Sequence, residues 1–326
     1  MSDAETQGMP VWKGCLAFFY HAAKATRRGR RMEEKMKINI LKDTMAEMPY
    51  TEVEKLAQKG AVVLFPVGII EEHGPHLPLG TDIYLAYEQA HDVWESLTAL
   101  GITSVIAPPF YLGGVQALTR QFPGTFGFRK ETIITCICEL LESLDRFGFR
   151  KVVFFNDHGD GLHIGACLEA IRQANAKLSL RAYWPEYADQ MREHGFSGEE
   201  EYLLPLTPVS FDEMFACEKM PRDEFDVHAG AFETAVMREI CLEFVGESVL
   251  ADLEPTFLKG EEIGSRWCMG EAEDKHLIPN GYVGDPAGSV YVKSRLRAVD
   301  ELIAKDIRNL TQTRCAQKTC AEMEKK

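Results

Sequence analysis

Within fifteen residues of Gly68 the chain places Glu71, Glu72, His73, His76 and Asp82. Imidazole together with carboxylate is the ligand set of zinc, manganese or iron, and no cysteine lies in this stretch. In extended chain, residues two apart point the same way, so Glu71 and His73 face one site while Glu72 faces elsewhere. Taken singly, Asp82 would cap a helix starting near Ile83, and one histidine near a strand end is more often structural than a ligand. Taken together, the residue types point to a metal site.

The elements that must hold these groups are legible on either side. Val62 to Val67 is a short, β-branched apolar run that reads as a buried strand. Pro75 and Pro78 then forbid regular helix, while Gly68, Gly74 and Gly80 allow the loop to fold back over the strand end. Open α/β sheets bind ligands there, outside the carboxyl ends of their strands. A second buried strand, Lys151 to Asn156, delivers Asp157, His158, Gly159, Asp160 and Gly161 at its own carboxyl end. Helical spacing is expected over Ile38 to Leu56 (its last part starting at Tyr50-Thr51-Glu52), Ile83 to Leu100, residues 130 to 147 (closed by Gly148), Leu162 to Ala176 and Val292 to Leu310. Ser104 to Pro108 and Leu180 to Trp184 read as further strands, paired in parallel by the crossover rule. Trp184, at a strand end, either packs or lines a pocket. Residues 186–224, charged and weakly periodic, read as an insertion in which Pro205 and Pro208 argue against long regular structure.

Bulk properties narrow the function. Thirty-six basic against 50 acidic residues give a net charge of −14, which argues against nucleic acid or a membrane surface as partner. Nine cysteines without paired zinc-site spacing read as reduced thiols of a cytoplasmic protein. In residues 1–36 an apolar stretch is interrupted by Lys13 and followed by Arg27, Arg28, Arg30 and Arg31, the wrong order for a secretory signal. These residues are expected to form a weakly ordered arm, or an extension upstream of a start at Met32 or Met36. Residues 314–326 are expected to form a frayed tail.

The segment Gly68-Ile-Ile-Glu71-Glu-His73-Gly74-Pro75-His76-Leu77-Pro78-Leu79-Gly-Thr81-Asp82 resembles the signature loop of the creatininase (creatinine amidohydrolase) family, G-S-x-E-Q-H-G-x-H-L-P-L-x-T-D. Ile69 stands where that family usually has a small hydroxyl residue, and Glu72 where it has Gln. Further motifs follow in the family's order. Phe122-Pro123-Gly124-Thr125 resembles its second loop, although Thr119, Arg120 and Gln121 stand where a histidine is common. Asn156 to Gly161 resembles N-G-H-x-x-N, and His228-Ala-Gly230-Ala-Phe-Glu233-Thr234 resembles H-A-G-x-x-E-T. Gly284-Asp285-Pro286 resembles the turn near its C-terminus.

The resemblance implies an α/β catalytic domain over residues 37–313, a three-layer fold with a mostly parallel sheet flanked by helices, commonly assembled as a hexamer. It implies two divalent metal ions per chain, zinc, manganese or iron. Glu71, Asp82 and His158 would hold one, and His73, Asp82 and Asp160 the other, with Asp82 bridging. His228 would protonate a leaving nitrogen; Glu233 would either ligate or orient a ligating histidine. Glu72, Gln116, Arg120, Trp184 and Asp226 are candidates for the pocket of a small-molecule substrate. The implied reaction is attack of metal-activated water on the carbonyl of a small cyclic amide. Alternatives are opening of a cyclic keto-polyol, deformylation, and a non-catalytic metal-binding role. Gly159 replaces an aromatic pocket residue of creatininase, which makes creatinine itself a weaker candidate.

Overall fold

The computed structural model describes residues 38–116, 118–187, 197, 200–208, 225–258, 275–289 and 299–311. The expected arm, the tail and the first turns of the last helix lie outside these residues. Five strands, β1 (Val62–Val67), β2 (Ser104–Ile106), β3 (Lys151–Asn156), β4 (Arg181–Tyr187) and β5 (Leu203–Leu206), form one sheet in the order β2-β1-β3-β4-β5. Among the described residues, every pairing of these strands is parallel. Parallel neighbours need long crossovers. Here α2 (Thr81–Ala99) carries the chain from β1 to β2, α3 (Lys130–Phe147) from β2 to β3, and α4 (Gly161–Lys177) from β3 to β4. Before them comes α1 (Tyr50–Gln58), and after them α5 (Ala231–Ile240) and a helix over 299–311.

Because successive strand residues alternate faces, the apolar runs of β1 and β3 serve two separate cores. Val62, Leu64, Val153 and Phe155 pack with Leu85, Val93 and Leu97 of α2, Val236 and Met237 of α5, and Val299, Ile303 and Ile307. Val63, Phe65, Val152 and Phe154 pack with Ile133, Ile137 and Leu141 of α3 and Ala166, Ala170 and Ile171 of α4. The result is a three-layer α/β fold whose central strands are covered on both faces, which is why they read as unbroken hydrophobic runs. Among the described residues no helix is long and apolar enough to cross a membrane.

Of the helical pattern over Ile38 to Leu56, the last part forms α1, starting at Tyr50 as its sequence suggests. Pro49 forces Met48 into extended backbone (φ −101°, ψ 140°), which separates a single 3-10 turn, Met45–Glu47, from α1. Of the stretch 186–224, where no long regular structure was expected, the described residues contribute the end of β4 and the short edge strand β5, and 188–196, 198–199 and 209–224 lie outside the described residues. Pro205 is tolerated because it points outward on that outer strand. His228 lies just before α5 and forms an isolated antiparallel bridge with Val283.

Candidate metal centre

The chain leaves β1 toward β2 on one side and β3 toward β4 on the other, so the carboxyl ends of β1 and β3 border the point where the sheet order reverses. Both acid-rich loops emerge there. Asp82 sits in the first turn of α2, and its side chain bonds imidazoles instead of capping the helix. Its Oδ1 lies 2.9 Å from His73 Nε2 and its Oδ2 3.1 Å from His158 Nδ1. Glu71 Oε1 reaches the same His158 nitrogen at 3.0 Å, and Glu71 Oε2 accepts from the Thr119 hydroxyl at 2.5 Å.

Backbone contacts fix each histidine's orientation. His73 Nδ1 donates to the Glu71 carbonyl at 3.1 Å, which turns Nε2 toward Asp82. His158 Nε2 donates to the Gly114 carbonyl at 2.9 Å, which turns Nδ1 toward Glu71 and Asp82. A carbonyl on the far ring nitrogen is the usual support of a metal-ligating imidazole. His228 Nε2 donates to the Glu72 carbonyl at 2.9 Å, with Glu72 Oε1 at 3.5 Å. The His228 ring lies 4.5 Å from that of His73, centre to centre. Ala229, at φ 49°, turns the chain so that its N–H meets Glu233 Oε2 at 2.5 Å. Glu233 is thereby pinned, and its other oxygen, Oε1, lies 3.9 Å from His73 Nε2.

The electrostatics follow from packing charges out of water. Burial works against a charged His73, but Asp82, and after it Glu233 and Glu71, pull its pKa up to about 10. Burial opposes charge on His158 as well, and Glu71 and Asp82 raise it well above the usual imidazole range. Asp82 and Glu71 are held below the ordinary carboxylate range: burial raises both, but His73 and His158 outweigh it at Asp82, and His158 at Glu71. Burial raises Glu233. These side chains therefore demand positive charge between them, from protons or from cations.

Among the described residues, three groups of ligand atoms each lie within 4.8 Å of one another: Glu71, Asp82 and His158; His73, Asp82 and Glu233; and Glu71, His73 and His228. The first two share Asp82, which offers one oxygen to each, and the donor set suits zinc, manganese or iron.

Of the residues singled out in the sequence, Glu71, His73, Asp82, His158, His228 and Glu233 converge. Asp160 does not join a ligand group. Its Oδ2 accepts from the Gln116 N–H at 2.9 Å and its Oδ1 from the Leu162 N–H at 2.8 Å, so it caps α4. Glu233 stands with His73 and Asp82 where Asp160 was expected. Glu72 borders His228, and its Oε2 accepts from the Gly74 N–H. Gln116 meets the site through its backbone, and Arg120 is exposed. Asp226 Oδ2 accepts from the Phe232 N–H in the first turn of α5. Trp184 packs near Phe154 in the core beneath α4. His76 is structural: Nε2 meets Thr234 Oγ1 at 2.8 Å, and burial depresses its pKa to about 4. Sequence reasoning gave no role to Thr119, whose hydroxyl steadies Glu71; the only signal was its place beside the Phe122 turn.

A family model described as Creatinine amidohydrolase matches residues 46–297. The chain is 29% identical over 218 residues to a mycofactocin precursor peptide peptidase of Mycolicibacterium smegmatis, covering 65% of this chain and 83% of that one. It is 24% identical over 259 residues to a creatinine amidohydrolase of Pseudomonas putida, covering 65% and 98%. A putative creatinine amidohydrolase structure from Bacteroides fragilis superposes with a TM-score of 0.58 at 20% identity, covering 84% and 96%. A manganese creatininase and a zinc–zinc creatininase variant each superpose with a TM-score of 0.53 at 19% identity, covering 83% of this chain and 98% and 97% of theirs.

Proposed function

The chain belongs to the creatininase (creatinine amidohydrolase) family, and from that premise we propose that it is a two-metal amidohydrolase that opens the C–N bond of a small cyclic amide. The observation that carries this reading is the division of Asp82 between two ligand groups, one oxygen to each. Glu71, Asp82 and His158 would hold one divalent ion, and His73, Asp82 and Glu233 the other. Such a pair supplies an acidified water and a polarised carbonyl at neutral pH.

The remaining chemistry falls to the protein's own groups. His228 keeps Nε2–H on the Glu72 carbonyl, and its Nδ1 has no hydrogen-bond partner among the described residues. That nitrogen is the one able to pass a proton to the leaving amine. Burial and the neighbouring His73 oppose charge on His228, but the bond to Glu72 and the charges of Glu71 and Glu72 win and raise its pKa. Glu233, fixed by the Ala229 N–H, keeps its free oxygen aimed at His73. A peptide amide as substrate is the second reading, favoured by similarity to a protein named as a peptide peptidase.

The test is elemental analysis of wild-type protein, Asp82→Ala and His228→Ala, with hydrolysis assayed on cyclic amides and short peptides. The expected result is two ions per wild-type chain, loss of both in Asp82→Ala, and full metal with turnover reduced about 10²- to 10⁴-fold in His228→Ala. One ion or none in the wild type would refute the dinuclear site. Full metal without hydrolysis of any substrate would favour the non-catalytic alternative.

A further inference from the structure

His163 has no part in the chemistry described so far, yet it is wholly buried in edge-on contact with His158, 5.1 Å between ring centres. Its partners fix which of its nitrogens carries the hydrogen. Asn156 Nδ2 donates to the His158 carbonyl at 2.9 Å. A carbonyl can only accept, so the oxygen of the amide is the end that faces His163. That oxygen lies 3.0 Å from His163 Nε2, which must therefore bear the hydrogen. The Cys167 sulfur, 3.6 Å from the same nitrogen, is a second and weaker acceptor. Nδ1 is then bare, and it is buried without a hydrogen-bond partner among the described residues. An aliphatic side chain would fill this place without an unpaired nitrogen, so what the imidazole supplies is its Nε2–H.

These bonds bridge the turn that carries His158. Asn156 is the last residue of β3, in register with Val67 of β1, and His163 lies in the first turn of α4. The Asn156 amide is held at both ends, by the helix through His163 and by the turn through the His158 carbonyl. His163 also borders the segment that orients the His158 ring. A Cβ on Gly113 would lie 2.9 Å from His163 Nδ1, and the neighbouring Gly114 carbonyl accepts from His158 Nε2. We propose that His163 is a positioning residue of the metal centre, setting the His158 turn through Asn156 and so tuning the ion held by Glu71, Asp82 and His158. The inference rests on the metal centre proposed above. Neither Asn156 nor His163 belongs to a ligand group; both act through the orientation of one that does.

The experiment is chelator titration with elemental analysis on the full chain, comparing wild type with His163→Leu, His163→Gln, Asn156→Ala and the double variant Asn156→Ala/His163→Leu. His163→Leu and Asn156→Ala are each expected to release one ion at a chelator concentration at least about tenfold lower, and to hold the other as the wild type does. His163→Gln, whose amide presents an N–H near the Nε2 position, is expected to recover wild-type retention. The double variant is expected to lose no more than Asn156→Ala alone, because the two residues act in series. Circular dichroism checks the fold. Should His163→Leu not fold, His163→Asn, whose shorter amide ends near the Nδ1 position, takes its place. Wild-type retention in both single variants would overturn the assignment, as would losses that add in the double variant. Equal weakening of both ions, unrelieved in His163→Gln, would reduce His163 to a packing residue. One ion in the wild type would sink the dinuclear reading alone: the assignment stands if that ion weakens in His163→Leu and recovers in His163→Gln, and falls otherwise. No ion at all would end both.

Discussion

His73 is a base whose surroundings prefer it charged, and that preference becomes a stability term when metal is stripped. Its folded pKa, about 10, lies above the ordinary imidazole value of 6.5. The stabilisation is therefore complete below about pH 6.5 and disappears as pH rises through 10. Metal-stripped protein should lose thermal stability steadily between those limits, and a stripped His73→Gln variant should show less of that loss. Melting curves across the window decide it; a flat profile for the stripped wild type would mean that the Asp82 contact does not hold the proton. At this scale the sequence was partly legible. Glu71, His73 and Asp82 were singled out by type and spacing and His158 by the motif around it, and the fold brings the four together. The choice between Asp160 and Glu233 was not legible, because both are carboxylates near helix starts. What separates them is that Asp160 gives both oxygens to backbone N–H groups while Glu233 gives one and keeps the other toward His73, and that depends on where Gln116 and Leu162 fall in space.

Among elements, the turn at Gly281 shows how a remote segment sets the position of His228. Gly281 has φ +73°, and a Cβ there would lie 2.0 Å from Glu72 Oε2. That oxygen accepts from the Gly74 N–H, while the Glu72 carbonyl holds His228. Gly281→Ala must therefore move Glu72, and overpacking of this kind costs about 1–3 kcal/mol. Turnover should fall while metal content stays at the wild-type level, which paired denaturation and elemental analysis would show. Unchanged stability would mean that Glu72 can rotate away freely. The helices were legible from their period, and the central strands from short, β-branched apolar runs without one. Residues 151–156 were delimited to the residue, and α3 ends at Gly148, in the left-handed region at φ 102°. The edge strand β5 was hidden because four residues containing a proline carry no readable period.

On the scale of the whole molecule, the candidate ligands come from segments that no single element ties together: the loop after β1, the first turn of α2, the end of β3 and the start of α5. The parallel sheet could be inferred from the alternation of strand and helix, but its order could not, since β1 and β3 become neighbours only through long-range pairing. That order brings the two loops to one crevice, so the sheet supplies proximity and the ions supply closure. Ligands that bind only the folded state stabilise it by mass action, about 2.7 kcal/mol at a hundredfold excess over Kd. For a domain of this size each kcal/mol moves the melting temperature by about 2–4 °C. Chelation should therefore lower the melting temperature by about 5–10 °C, and re-addition of zinc or manganese should restore it. The loss should also be local. Hydrogen exchange should rise at residues 68–80, 157–161 and 226–230, while β1 and β3, buried between two helical layers, keep their protection. A uniform rise across the sheet would mean that the ions hold the core itself, and an unchanged melting temperature that the crevice is closed without them.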